Sequence, residues 1–219
     1  MLQGLMGYPA KLAGLVTAPS GLGTMAAMMI VGRLTGKVDF RLLLGVGFAI
    51  TAFSLWQMMH YTLVLSQSDI VWPGVIQGVG LGLVFVPLSA ATFATLSPQM
   101  RAEGTALYSL VRNIGSSIGI ALVQALLVRN TQIAHASLAT QINPANPAVR
   151  DPMSLYDIAT QAGPALINGE ITRQASMIAY VDDYRLMMLL TLAVIPMLLL
   201  IRPPKAAATP AQMDHAALE

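Results

Sequence analysis

Cysteine is absent from this 219-residue chain, and charged residues are scarce. Without cysteine the chain has no disulfide and no thiolate zinc site. Charged residues make up 10% of the sequence, whereas a typical soluble domain carries about 25%. Too few charges remain to cover a water-facing surface, so the composition excludes an ordinary soluble domain. The net charge of +2 is small and forms no basic tract, so nucleic acid is not an expected partner.

Hydrophobic residues make up 55% of the chain, and only 6% of all residues are aromatic. They occur in long unbroken runs rather than in the alternating segments of about ten residues that mark a membrane β-barrel. The sequence therefore predicts an all-α integral membrane protein, in contact with membrane lipids.

Five stretches are long enough to cross a bilayer, which takes about 20 apolar residues. They predict about five transmembrane helices within a membrane domain at 1–204, a long external loop at 129–176, and a disordered cytoplasmic tail at 205–219. Within that loop, 165–176 is a candidate helix that runs into the fifth span. The helices are expected at about 13–32, 42–63, 71–96, 105–128 and 177–201.

The distribution of Lys and Arg predicts the orientation, because short cytoplasmic loops are rich in these residues. Basic residues concentrate in the loop at 33–41, at Arg101, and at Arg202 and Lys205 after the last helix. That side is assigned to the cytoplasm, which puts the C-terminus inside and the N-terminus outside. Five spans with an external start lead us to expect further helices upstream.

Glycines spaced four residues apart occur in the third and fourth predicted helices. Small residues at this spacing let two membrane helices pack closely. Simple helix packing is the favoured interpretation, and bending or sliding about Pro87 during transport is the alternative. The glycines concerned are Gly74, Gly78, Gly82, Gly115 and Gly119.

Arg112 is the one charge well inside a predicted span. Such a charge costs at least about 2.5–3.5 kcal/mol at the bilayer centre, so it either snorkels to the cytoplasmic surface or faces a functional cavity. Asn113 follows it, and Glu103 is a possible partner. Gln77 and Gln124 either form hydrogen bonds between helices or line a substrate path.

Two carboxylates and three histidines offer no further site. Asp182 and Asp183 lie in the first turns of the fifth span and are expected at the membrane interface, too close to water to couple a proton. His60 is expected at an interface, and the three histidines share no spacing typical of a metal site. No cluster of acidic or histidine residues at one depth supports a membrane enzyme.

The loop after the first span resembles the short basic loop of the major facilitator superfamily. The family pattern is Gly-x-Leu-x-Asp-Arg/Lys-x-Gly-Arg/Lys-Arg/Lys, and Gly32, Leu34, Lys37 and Arg41 match it. Gly36 stands where an acidic residue is usual, and Asp39 where glycine is usual. The four matching residues are candidates for a cytoplasmic gating loop.

Three further stretches are similar to the 14-helix drug:proton antiporters of the EmrB/QacA type. Gly7 to Gly21 resembles the entry to that family's tenth helix. Arg101 to Gly119, which includes Leu-Val-Arg-Asn-Ile-Gly-Ser-Ser-Ile-Gly, resembles its thirteenth helix and the preceding loop. Gln174 to Asp183 resembles the start of its fourteenth helix. The likeness extends along nearly the whole chain.

This resemblance implies the last five helices of a multidrug exporter in the bacterial inner membrane. It implies export of hydrophobic or cationic drugs in exchange for protons, with the proton gradient as energy source and no cofactor. It further implies N-terminal helices that carry the coupling carboxylates, and in Gram-negative members a periplasmic adaptor and an outer-membrane channel. Arg112 and Asn113 match its thirteenth-helix motif and are the leading transport candidates.

Two alternatives remain open beside drug export. A facilitator-type transporter of another solute would have the same fold. A non-transporting five-helix membrane scaffold would account for the spans alone, because transporters of this type pair two repeat-built halves around a midplane site. Five helices by themselves are not expected to transport.

Overall fold

Five α-helices make up most of the described chain. The structure is a computed structural model that describes residues 1–34, 37–93, 96–142 and 163–198. A single 3₁₀ turn, Pro98–Met100, immediately precedes the fourth helix. The helices are α1 Ala10–Leu34, α2 Phe40–Met58, α3 Gln67–Phe93, α4 Arg101–Ala139 and α5 Gly163–Met197. The predicted all-α membrane bundle is confirmed.

Four of these helices, α1 to α4, are long and apolar enough to cross a membrane. The described part of α5 is not among them, because Asp182, Asp183 and Arg185 interrupt its apolar stretch. Its last apolar residues, from 199 onward, lie outside the described residues. The fifth membrane span at 177–201 therefore stays a prediction, as does the tail at 205–219.

The helices pack in the spatial order α1, α3, α2, α5, α4. Helix α3 lies between α1 and α2, α2 also packs on α5, and α5 packs on α4. A cluster of Leu55, Met58, Tyr61 and Met177 fills the contact between the end of α2 and the middle of α5. The outer faces remain apolar and exposed, as expected of surfaces that meet lipid or further helices.

Glycines allow α3 to approach α1 at backbone distance. A Cβ added to Gly78 would collide with the Ser20 carbonyl oxygen of α1. One added to Gly82 would lie 2.8 Å from the Thr24 carbonyl oxygen. Such distances are too short for a real side chain, so these positions of α3 accept only glycine at the present helix separation.

The boundaries of three helices correct the predicted ones. Helix α2 ends at Met58 rather than at 63, since the amides of His60 and Tyr61 bond three residues back, as in 3₁₀ turns. Helix α4 continues to Ala139, so residues 129–139 of the predicted external loop are helical. Helix α5 begins at Gly163 and includes 165–176, as expected of the candidate helix that runs into the fifth span.

The length of α4 explains why hydropathy misplaced its end. Its 39 residues extend about 58 Å at 1.5 Å per residue, nearly twice the roughly 30 Å of hydrocarbon. Apolar runs locate the bilayer and not the helix terminus. Residues 129–139 contain neither glycine nor proline, so nothing local breaks the helix where it leaves the membrane.

Candidate functional site

Arg112 of α4 reaches across to α3 and lies over the ring of Phe85. Its guanidinium carbon is 4.8 Å from the ring centroid, within the range of a cation–π interaction. One α4 turn earlier, the Tyr108 ring meets the Phe93 ring at 5.5 Å and 69°. The Tyr108 hydroxyl lies 3.5 Å from the Ser89 hydroxyl oxygen. We call these five residues the α3–α4 seam.

Helical spacing brings the seam residues together. Phe85, Ser89 and Phe93 are four residues apart on α3, and Tyr108 and Arg112 are four apart on α4, so each set occupies one helix face. Within the described residues α3 is not among the close backbone neighbours of α4. The contacts between α3 and α4 are therefore made by long side chains, because the two backbones do not approach each other closely.

The guanidinium of Arg112 has no carboxylate partner in the described part of the chain. The one salt bridge found there joins Arg173 to Glu170 at 2.9 Å, within α5. Glu103, the partner considered from sequence, forms no ion pair with Arg112 in these ranges. In the structure the guanidinium contacts the face of the Phe85 ring. Such a cation–π interaction contributes about 0.5–2 kcal/mol, with the larger values where water is excluded.

Arg112 lies deeper along its helix than the sequence indicated. Helix α4 begins at Arg101 rather than near Thr105, so Arg112 is eleven residues, or about 16 Å, from the helix start. The sequence estimate was about 10 Å. The helix start does not mark the membrane boundary, because the charged Arg101 and Glu103 lie in the first turn, so the depth of Arg112 within the span stays a prediction.

The four predicted transport residues do not share one pocket. Asn113 and Gln124 are exposed on α4, as Arg112 is. Gln77 instead lines a separate cavity of about 190 Å³. Other polar side chains that line this cavity are Thr17, Ser20, Tyr61 and Tyr184.

The cavity beside Gln77 contains an unsatisfied hydroxyl group. The Tyr61 hydroxyl is buried and has no hydrogen-bond partner in the described residues, and the same holds for the side-chain oxygen of Gln57. The rings of Tyr61 and Tyr184 meet edge to face at 5.9 Å. A buried hydroxyl without a partner costs about 1–3 kcal/mol, and the cavity is large enough to hold the water that would offset this.

The two acidic residues of α5 occupy different environments, whereas the sequence led us to expect both at the membrane interface, close to water. Asp182 is exposed and lines an open pocket of about 450 Å³ together with His60 and Gln174. Asp183 is 5% exposed and faces the protein. Neighbouring positions on a helix point about 100° apart, so one of the pair faces inward when the other faces out.

The predicted gating loop is tightly turned. The amides of Lys37 and Val38 donate to the Leu34 carbonyl oxygen at 2.9 and 3.1 Å, which closes α1. The carboxylate of Asp39 then accepts from the Arg41 amide at 3.3 Å and caps α2. Gly32 and Lys37 are exposed, and residues 35 and 36 lie outside the described residues. Asp39, found where the family has glycine, thus stabilises the α2 N-terminus.

Sequence reasoning identified Arg112 but missed Tyr108 and the α3 half of the seam. Phe85, Ser89 and Phe93 repeat every four residues along one helix face, and this repeat was the available signal. It was not recognised because apolar and small residues at helical spacing are typical of any membrane helix.

A family model described as Major Facilitator Superfamily matches residues 1–130. Over 207 residues the chain is 27% identical to the fatty acid resistance protein FarB of Neisseria gonorrhoeae, covering 93% of this chain and 41% of that relative. It is 28% identical over 183 residues to the multidrug export protein EmrB of Escherichia coli K12, covering 82% and 36% of the two chains.

A further relative is the probable multidrug resistance protein EmrY of Escherichia coli K12. It is 26% identical over 211 residues, which cover 94% of this chain and 41% of EmrY. The chain therefore spans about two fifths of the length of the curated relatives that it matches.

Proposed function

Because the family model covers more than half of the chain, the chain belongs to the major facilitator superfamily, and we propose that it forms the C-terminal part of a multidrug exporter. The observation that carries this proposal is the similarity to drug exporters along nearly the whole described bundle, at 82% of the chain for EmrB and 94% for EmrY. The proposed activity belongs to a longer protein that includes further helices.

The seam geometry supports a role in transport rather than in scaffolding. A cation within a predicted membrane span is costly, and such charges commonly mark substrate or ion paths. The gap between α3 and α4 is bridged by side chains that can change rotamer without moving a packed helix interface. We infer that α3 and α4, joined by such side chains, can separate and come together again during transport.

Energy and location follow from the same proposal. We infer that export of hydrophobic or cationic drugs is driven by proton exchange across the bacterial inner membrane, with the C-terminus in the cytoplasm and no cofactor. The proposed partners are the helices that complete the bundle, a periplasmic adaptor and an outer-membrane channel. The similarity to EmrB, a multidrug export protein, and to EmrY, a probable multidrug resistance protein, supports the drug export part of this proposal.

A second candidate substrate class comes from a specific match. FarB, which aligns over 93% of this chain, is named for resistance to fatty acids. A long-chain carboxylate is amphiphilic and membrane-soluble, so the same helix bundle could export it. Drug and fatty acid export are compatible in one transporter with a broad apolar path.

The test is dye and drug export by the full-length protein in a bacterial host that lacks its own efflux pumps. We expect lower steady-state accumulation of a cationic dye, a higher inhibitory concentration for hydrophobic drugs, and loss of both effects when an uncoupler collapses the proton gradient. An empty-vector strain is the matched control. Equal dye accumulation in both strains, with the protein present in the membrane, would contradict the proposal and favour a non-transporting scaffold.

A further inference from the structure

Helix α3 contains a joint at Pro73, near its N-terminal end. Proline has no amide proton, so the carbonyl oxygen of Asp69 lacks the donor that residue 73 supplies in an unbroken helix. The part of α3 before the joint, 67–72, is capped at its far end by two reciprocal bonds. The Ser66 amide donates to the Asp69 carboxylate at 3.0 Å, and the Asp69 amide donates to the Ser66 hydroxyl oxygen at 3.4 Å. The segment 67–72 is therefore a short helical unit that can move as a body.

The remainder of α3 is fixed to its neighbours. The Ser54 hydroxyl of α2 donates to the Pro73 carbonyl oxygen at 2.6 Å. Further along, Gly78 lies so close to the Ser20 carbonyl oxygen of α1 that no side chain fits between them. Because α3 is held from Pro73 onward, movement about the joint displaces only 67–72.

A cavity of about 190 Å³ lies beside the joint. Ile70, Gly74 and Gln77 line it from α3, while Tyr61 and Tyr184 line it from the other side. Protein interiors normally contain few voids larger than a water molecule. Since Ile70 belongs to 67–72, part of the cavity wall can move, and the cavity gives it room to do so.

The hydroxyl of Tyr61 is a second polar group without a partner at this corner. Tyr61 follows the end of α2 and is 8% exposed, and its hydroxyl has no hydrogen-bond partner in the described residues. Residues of this chain bury the hydroxyl, so helices of a longer protein that pack outside them do not reach it. The Tyr61 ring is held edge to face against the ring of Tyr184.

Electrostatics place Asp69 near this hydroxyl. Burial, followed by the charges of Tyr184 and Asp69, raises the pKa of Tyr61. The hydroxyl therefore keeps its proton at physiological pH and is available as a donor. A free donor on a fixed ring thus lies close to a segment that carries a free acceptor.

We propose that 67–72 swings about Pro73 between two positions, and that the Tyr61 hydroxyl latches the second by donating to the freed Asp69 carbonyl oxygen. In the position described here the cavity is open and the hydroxyl is unpaired. In the second position the segment enters the cavity and the two groups bind each other. A buried hydroxyl is costly to leave unpaired, so the bond offsets the packing lost from the first position. This device goes beyond the proposed export function and is independent of the solute.

The experiment measures the distance between two nitroxide labels by pulsed electron spin resonance. The full-length protein is used in phosphatidylcholine vesicles, with all other cysteines replaced. One label is at Gln67, which is exposed on the moving segment, and the other is at Gly169 of α5, where an added Cβ meets nothing within 4 Å. We expect two distance populations. Labels at Gln132 and Gly169 join two helices outside the device and should give one.

Two matched pairs of variants test the latch. Tyr61→Phe removes the donor and keeps the ring, and Tyr184→Phe is its control in the same cavity wall. Pro73→Ala restores the amide that binds the Asp69 carbonyl oxygen, and Pro87→Ala is its control in the same helix. We expect Tyr61→Phe to reduce the second population about threefold, the effect of an average hydrogen bond between membrane helices. Pro73→Ala should reduce it by at least as much, and both controls should leave it unchanged.

The double variant Tyr61→Phe/Pro73→Ala shows whether the two residues act through one bond. Each change removes the same bond, so the double variant should reduce the second population no further than Pro73→Ala alone. Reductions that multiply would show two independent effects and contradict the latch.

Two further results would overturn the inference. One is a single distance population in the unchanged protein, with and without an imposed proton gradient. The other is a pair of populations that Tyr61→Phe leaves unchanged, because water in the cavity would then satisfy the hydroxyl in both positions. Failure of the proposed export function is a separate outcome, because dye efflux is measured in cells and does not involve these labels.

Discussion

The hydroxyl of Ser54 in α2 donates a 2.6 Å hydrogen bond to the carbonyl oxygen of Pro73 in α3. Both residues are buried. Pro73 interrupts the hydrogen-bond ladder of α3, because it has no amide proton to donate to the carbonyl oxygen of Asp69. The Ser54 hydroxyl binds the carbonyl oxygen of Pro73 itself, one turn further along α3. The bond therefore joins two helices at the place where one of them is weakest.

Replacing Ser54 with Ala should destabilise the bundle measurably. Hydrogen bonds between membrane helices contribute about 0.6 kcal/mol on average and up to about 1.7 kcal/mol, and this bond is short and buried. The measurement is the thermal unfolding midpoint in detergent. Ser176→Ala is the control, because that exposed hydroxyl bonds only within its own helix. Equal midpoints for the two variants would mean that the α2–α3 bond carries no stability.

Gly78→Ala should lower stability through overpacking. Its added methyl group would collide with the Ser20 carbonyl oxygen, so α1 and α3 must separate, at about 1–3 kcal/mol. Gly45→Ala is the matched control on α2, where an added Cβ meets nothing within 4 Å and helix propensity improves. An unfolding midpoint for Gly78→Ala at or above that of the unchanged protein would contradict the close packing.

Arg112→Ala should impair export by the full-length protein at an unchanged membrane level. The substitution removes both the cation and its contact with Phe85, while α4 keeps a good helix former. Initial efflux rates, normalised to protein in the membrane, provide the readout, with Arg129→Ala as control. Undiminished export would remove Arg112 from the transport machinery.

The pKa of Glu170 should lie below its usual range. Hydrogen bonds from Arg173 and Gln174 stabilise the charged carboxylate. Because the folded-state pKa is depressed, the stabilisation is present above the unfolded pKa and is lost as pH falls through the folded one. For a partly exposed helix pair it amounts to only about 0.3–0.5 kcal/mol.

Titration of Glu170 by ¹³C NMR in detergent tests this, with Glu170→Gln used to assign its resonance. Arg173→Gln removes the first hydrogen-bond donor and should raise the pKa toward its ordinary value. An unchanged pKa in that variant would show that the interaction in α5 has no electrostatic effect.

Composition was sufficient to predict the helical membrane bundle, because lipid leaves the backbone few alternatives to a helix. Four of the five predicted spans overlap helices that are long and apolar enough to cross a membrane, but hydropathy did not predict where those helices end. The C-terminal part of α4 and the N-terminal part of α5 are held by helical backbone hydrogen bonds, and the two helices pack on each other; neither feature depends on hydropathy.

Only Arg112, on the α4 side of the candidate site, was predictable from the sequence. Arg112 stands out in sequence because a charge within a span is costly. Phe85 does not, since its importance depends on which face of α3 turns toward α4. The separation of Asp182 from Asp183 is of the same kind, because helix rotation decides it and adjacent identical residues give no signal of that rotation.

The central claim is that this chain is part of a proton-driven exporter, and uptake into inside-out membrane vesicles tests it most directly. With the full-length protein present and a proton gradient imposed, we predict that vesicles accumulate a cationic dye and release it as soon as the gradient is dissipated. Vesicles that contain the protein but accumulate no more dye than protein-free vesicles, with or without the gradient, would contradict the account.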